Sequence, residues 1–262
     1  MKNMMKEYLK NDYSDNHLRN FCLYWTKAAG GSGDEWRRGN DLDCLYFGGD
    51  LRADTLMSAW TPIKWVADLI NKDRGVRFCK RRKDSDDPCR DLRILAEEGE
   101  KYLPHDNRLV KLLDTFLELA EQRCNFILLT DRRMNRARYK SYINGKKVWL
   151  CDEVPVTLSH VFDKNSLGRY FTTDAGEVDK SLVTSWIKRE HLEMGFTDNR
   201  IAPENVRPLI EGLDPYKAKW LKDADEIEEA LGYMIDFLEK RMDALQQQSR
   251  KCNAANASSK MQ

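Results

Sequence analysis

Apolar residues recur at helical spacing in several long segments of the chain. The clearest is 107–123, where one broad apolar stripe is formed by Leu109, Leu112, Leu113, Phe116, Leu117 and Ala120. A stripe with a period of about 3.6 residues is typical of an amphipathic helix that packs on a core. The same spacing predicts further helices over 15–30, 61–71, 174–194 and 223–248.

Short apolar runs predict two buried strands, CLYF at 44–47 and FILL at 126–129. We predict that these two runs pair, or nearly neighbour, in one sheet packed against helix 107–123. The segment YINGKKVWL carries Asn144-Gly145 between two β-prone runs, which favours a two-residue hairpin turn.

These elements predict an α+β fold with one predominantly helical domain over 1–248. The domain is built around a small mixed β-sheet with one β-hairpin, and it ends in a long C-terminal helix. The segment 249–262 is low in apolar residues and is predicted to be a disordered tail.

Two helices carry details that bear on function. Asp174 and Glu177 match a capping box for a helix that runs to about Met194, and this helix would place His191 on its apolar face. A core histidine is therefore favoured over a catalytic base. Arg241 interrupts the apolar seam of the last helix, so packing on its own core is favoured over dimerisation, and we expect a monomer or a weak dimer.

Charge and cysteine content narrow the class of protein. The chain has 44 basic and 43 acidic residues, so binding to a polyanion must be local and nucleic acid is a less favoured partner. No apolar stretch has the length of a signal-peptide core or of a membrane-spanning helix, and no membrane partner is expected. The seven cysteines contain no CxxC pair, so the sequence predicts no metal site. This pattern favours reduced thiols in a cytoplasmic protein. We expect at least Cys22, Cys44 and Cys124 to be buried.

Charged loops follow both predicted strands, and they are the candidate site. If the strands are parallel neighbours, their carboxyl ends open into one crevice, where ligands of open sheets collect. Glycines allow close backbone approach, and arginines offer bidentate donors suited to phosphate or carboxylate. The candidate ligand-binding residues are Gly48, Gly49, Arg52, Arg132, Arg133, Arg136 and Arg138, and the candidate catalytic carboxylates are Asp50, Asp54 and Asp131.

Two functional classes follow from this site. The first is an enzyme or receptor for a phosphorylated small ligand such as a nucleotide. The second is a non-enzymatic interaction protein that uses the arginine-rich loop and the C-terminal helix. Structural roles stand beside both, because the aspartates can cap turns and the arginines can pair with acids elsewhere. No complete catalytic signature is present, so the reaction and any cofactor stay open.

Three segments of the first 140 residues, NFCLYW, YFGGDLRADTLMSAWTP and FILLTDRRMNRARY, together resemble an uncharacterised family of bacterial proteins of unknown function. The resemblance implies a cytosolic protein of bacterial or phage-borne origin. It implies no activity, cofactor, partner or site residue.

Overall fold

The computed structural model describes parts of the first half of the chain and most of the second half. The described residues are 52–57, 60–73, 108–120, 122–129, 134, 140–143, 146–149, 153–215 and 223–259. The predicted helix 15–30 and the predicted strand CLYF lie outside these residues, as do Cys22 and Cys44.

Five α-helices form the main body of the described chain: α1 Trp60–Asp73, α2 Arg108–Ala120, α3 Val154–His160, α4 Lys180–Arg189 and α5 Ala224–Ser259. Short 3₁₀ helices connect several of them. Helix α2 confirms the strongest sequence pattern, because its apolar stripe is buried.

The core lies where α5 packs along α2 and α1. The predicted seam of α5 is buried inside the fold at Ile227, Leu231, Met234 and Leu238. Residues 249–259, predicted as part of a disordered tail, form the last turns of α5.

Helix α4 begins later and ends earlier than its sequence pattern predicted. Its N-cap is Asp179, whose carboxylate accepts hydrogen bonds from the Ser181 and Leu182 N–H groups at 2.8 and 3.3 Å. The hydrogen bonds from Ser181 and Leu182 hold the pKa of the Asp179 carboxyl below its usual value. The preceding residues instead form a turn closed by a bridge between Thr172 and Val178.

His191 is not a core residue, and that prediction is wrong. Helix α4 ends at Arg189, and His191 follows in a left-handed conformation with a φ of 53°. Its half-buried ring bonds through Nε2 to the Gln248 Oε1 atom of α5 at 2.9 Å.

Four strands of four residues each occur in the described chain: β1 Arg52–Thr55, β2 Phe126–Leu129, β3 Lys140–Ile143 and β4 Lys146–Trp149. They form two separate two-stranded antiparallel ladders, β1 with β2 and β3 with β4. The predicted α+β fold around one mixed sheet is therefore wrong, although the two β-prone runs on either side of Asn144-Gly145 do pair with each other as β3 and β4. The described chain is mostly helical, and no sheet in it exceeds two strands or contains a parallel pair.

The described partner of FILL is RADT, whose sequence predicts a charged loop. Polar RADT carries no strand signal of its own, and tertiary pairing overrides that weak propensity. Arg52 and Asp54 are consequently strand residues rather than loop residues.

Two smaller predictions concern cysteine and membranes. Cys124 is fully buried and forms no disulfide, as predicted, and its Sγ lies 3.7 Å from the Leu119 carbonyl oxygen. Among the described helices, none combines the length and the apolar character needed to cross a bilayer.

Candidate functional site

The β1–β2 ladder fixes the geometry around the predicted site. Arg52 pairs with Leu129 at one end, and Thr55 pairs with Phe126 at the other. The pairing is antiparallel, so the predicted crevice beyond two parallel carboxyl ends does not form from these strands. The chain nevertheless enters β1 and leaves β2 at the same end of the ladder.

Asn125 locks the opposite end of this ladder. Its backbone carbonyl accepts the Leu56 N–H at 2.7 Å, and its Oδ1 accepts the Met57 N–H at 2.9 Å. Its Nδ2 donates to the carbonyls of Met57 and Ala120, each at 2.9 Å. The side chain thus extends the ladder by imitating a backbone partner, and it also ties the ladder to the end of α2.

Arg241 of α5 reinforces the same end from the other side. Its guanidinium donates to the Cys124 carbonyl and, through Nε at 2.8 Å, to the Glu190 carbonyl. Its Nη2 lies 3.8 Å from the Glu190 carboxylate, which also accepts Arg189 Nε at 3.0 Å. Because Arg241 is fully buried, its ion pair and hydrogen bonds join α5 inside the core to the C-cap of α4 and to the 3₁₀ turn that precedes β2.

The candidate residues separate into two groups. Arg52 and Asp54 lie in β1, two positions apart, on the ladder face that also carries Ile127, which is fully buried. The other candidates lie outside the described residues: Gly48, Gly49, Asp50, Asp131, Arg132, Arg133, Arg136 and Arg138.

Met134 is the one described residue between 130 and 139, and it is helical and buried in the main core. Two buried core positions therefore lie close in sequence to these arginines, Ile127 before the segment and Met134 within it. Arg133 and Arg136 flank Met134 in sequence.

A second set of buried polar residues, which the sequence pattern does not indicate, lies on α3 and at its N-cap. Glu153, Thr157 and His160 are all buried and recur at spacings of four and three, which is one helical face. His160 Nδ1 shares a hydrogen bond of 2.6 Å with Ser166 Oγ. A serine beside a histidine can be an activated nucleophile, but both side chains are buried away from any substrate. No spacing signal separated these residues from ordinary core positions.

A surface groove of about 530 Å³ lies beside the 3₁₀ turns after α4 and is lined in part by Phe196, Arg207 and Lys240. Its cations are already engaged, since Lys240 lies 2.8 Å from the Asp236 carboxylate and Arg207 lies 3.9 Å from it. The Arg207 guanidinium also covers the Tyr233 ring, at 5.2 Å from its centroid. Burial raises the pKa of the Tyr233 hydroxyl well above its usual value. The groove therefore offers little uncompensated charge to a ligand.

No metal centre occurs in the described part of the chain, where no three histidine, cysteine, aspartate or glutamate side chains converge. Comparison with protein-family models, curated proteins and solved structures finds no match. The resemblance to a bacterial family consequently stays an expectation, and the site has to be judged on its own geometry.

Proposed function

We propose that this chain binds a phosphorylated small ligand, such as a nucleotide, at the end of the ladder where Arg52 pairs with Leu129. The observation that carries the proposal is the β1–β2 register. Asp50 precedes Arg52 by two residues, and Asp131 follows Leu129 by two. Two residues of chain span at most about 7 Å, so both candidate segments start within reach of one ladder end.

Charge supports an anionic ligand. Between 131 and 147 the chain has seven basic residues and one acidic residue. Pairing within the segment cannot neutralise this excess. Arginine is suited to phosphate because its planar guanidinium presents parallel N–H donors.

The helical state of Met134 supports the proposed contacts. Arg133 and Arg136 are three residues apart, a spacing that shares one face of a helix.

The proposal also includes catalysis at the same end of the ladder. Asp50 and Asp131 are the candidate carboxylates for general-base chemistry, because they flank the chosen end of the ladder. Asp54 is less suited, because it pairs with Ile127 two positions further along the ladder.

The interaction-protein alternative is less supported. It relies on the arginine-rich loop and on the C-terminal helix, and that helix, α5, buries the apolar positions Ile227, Leu231, Met234 and Leu238 in the chain's own core. Cytoplasmic localisation remains part of our proposal, and it is consistent with Cys124 being a thiol outside any disulfide.

A thermal-shift screen of nucleotides and divalent cations tests the proposal, because a ligand that binds only the folded state raises Tm. The double variant Arg133→Ala/Arg136→Ala should then bind the selected nucleotide about ten- to a hundredfold more weakly per lost charged hydrogen bond. Its Tm without ligand should equal that of the wild type.

The matched control is Arg169→Ala/Arg200→Ala, which removes the same charge from two exposed arginines elsewhere on the surface. It should bind the nucleotide like the wild type. If no nucleotide shifts Tm, the proposal is wrong. If the Arg133/Arg136 variant binds normally but unfolds more easily, those arginines are structural ion-pair partners.

A further inference from the structure

The register of the β3–β4 ladder sorts its eight positions into two faces. Lys140 pairs with Trp149, and Tyr142 pairs with Lys147. Directly opposed residues share a face, and residues two apart along a strand return to it. One face therefore holds positions Lys140, Tyr142, Lys147 and Trp149, and the other holds Ser141, Ile143, Lys146 and Val148.

The first face, called here the Lys/aromatic face, combines two kinds of residue in alternation. Each lysine is opposed across the ladder by an aromatic residue, and along each strand a lysine and an aromatic alternate. No acidic residue occupies any of the eight ladder positions.

This alternation fits the chemistry of single-stranded nucleic acid. A single strand presents a phosphate and an unstacked base at every nucleotide. Proteins that bind such strands combine positive charge along the backbone with aromatic side chains on which bases stack.

Charge complementarity extends beyond the ladder. The seven basic residues between 131 and 147 include Arg138, two positions before Lys140. Because the whole chain has a net charge of only +1, this local excess is where a polyanion would bind.

We propose that the Lys/aromatic face binds single-stranded nucleic acid. Tyr142 and Trp149 stack on bases, and Lys140 and Lys147 contact the phosphates beside them. The four residues of the Lys/aromatic face are not part of the small-ligand site at the β1–β2 ladder, although both proposals draw on the basic excess between 131 and 147.

Fluorescence anisotropy of a short labelled oligothymidylate measures this binding in the full chain. The wild type should bind it with an affinity that falls as salt rises. Tyr142→Ala/Trp149→Ala should weaken binding at least about tenfold, because each stacked base contributes roughly five- to 150-fold. An oligouridylate of equal length should bind similarly, because neither contact uses the 2′-hydroxyl group.

The salt dependence of binding distinguishes the Lys/aromatic face from the opposite face of the β3–β4 ladder. Lys140→Ala/Lys147→Ala should reduce the slope of log K against log salt by about 1.4, since each phosphate contact on a single strand contributes about 0.7. Lys146→Ala is the matched control, because it removes a lysine of the same ladder from the opposite face. Its slope should stay close to that of the wild type.

Folding is monitored through Tm and circular dichroism of every variant. If the double alanine variant is unstable, Tyr142→Phe/Trp149→Phe replaces it, and it should retain most of the binding because phenylalanine still stacks. The proposal is overturned if the wild type does not bind at low salt, if duplex DNA binds as tightly as the single strand, or if Lys146→Ala is as damaging as the Lys140/Lys147 pair. None of these results would affect the nucleotide proposal, whose test uses Arg133 and Arg136.

Discussion

Replacing Arg241 with methionine should lower the free energy of unfolding by about 3–5 kcal/mol, the usual cost of breaking a buried ion pair by removing one partner. Methionine fills much of the space of the arginine stem, so the loss is chiefly electrostatic. The substitution removes the guanidinium N–H groups that donate to the Cys124 and Glu190 carbonyls inside the core.

The magnitude follows from the groups left behind. Each buried carbonyl that loses its donor costs about 1–3 kcal/mol. The Glu190 carboxylate, only 5% exposed, loses a cation at 3.8 Å but keeps its contact with Arg189 at 3.0 Å. Because the Glu190 carboxylate keeps its contact with Arg189, the total loss of unfolding free energy should stay at about 3–5 kcal/mol.

Urea unfolding followed by tryptophan fluorescence and circular dichroism measures the effect. Lys240→Met is the matched control, because Lys240 is the neighbouring residue of α5 and its ion pair with Asp236 is on the surface. Surface pairs contribute about 0–1 kcal/mol. In a Glu190→Gln background, Arg241→Met should cost about 0.5–3 kcal/mol less, which is the coupling expected of residues in contact.

A result in which Arg241→Met is no more destabilising than Lys240→Met would refute the reasoning. It would mean that the buried guanidinium contributes nothing beyond its packing. Equal effects of Arg241→Met with and without Glu190→Gln would instead show that the ion pair is energetically silent.

Three further predictions concern local structure. Gly232→Ala should raise the free energy of unfolding by about 0.8–1 kcal/mol, because the glycine is inside α5 and an added Cβ would meet nothing within 4 Å; an unchanged or lower value from urea unfolding would contradict this. Gly168→Ala should lower it by about 1–3 kcal/mol, because its Cβ would lie 2.7 Å from the Asp163 carbonyl oxygen, and a variant as stable as the wild type would show that the backbone yields freely. Asp179→Ala should lower Tm at neutral pH, whereas Asp179→Asn keeps the cap. Hydrogen bonds lower the folded pKa of Asp179 below its ordinary 3.8. The wild type should therefore have a higher Tm than Asp179→Asn above pH 3.8, and this difference should disappear as the pH falls through the folded pKa. A difference in Tm that does not depend on pH would contradict the assigned cause.

Periodicity alone was enough to locate α2, because its apolar stripe is complete and nothing else competes for those residues. The ends of α4 were harder to predict. Two acidic residues matched a capping pattern at 174 and 177, but the side chain that caps the helix is Asp179. One sequence can offer several residues able to cap a helix. Which of them does so depends on the tertiary contacts around it, and the local sequence pattern carries no information about those contacts.

The strand pairing shows a different limit. FILL was predicted correctly because it is apolar and β-prone, but its partner RADT is selected by the Asn125 side chain and by the burial of Leu56 and Met57. Such selection depends on residues about 70 positions apart in sequence. In the sequence Arg241 is only a break in an apolar seam, because its contacts with Glu190 and Cys124 join it to residues that are 51 and 117 positions away.

The placement of Arg241 has a consequence for how the chain matures during synthesis. Its bond to Cys124 joins residues 117 positions apart, and α5 is made after every described element that it covers. At translation rates of about 5–20 residues per second, roughly 6–23 s separate the two residues on the ribosome. During that interval the apolar sides of α1 and α2 lack the helix that will bury them. The nascent chain is therefore expected to need shielding from aggregation until α5 emerges, and premature termination before residue 241 should give a product that is cleared rather than folded.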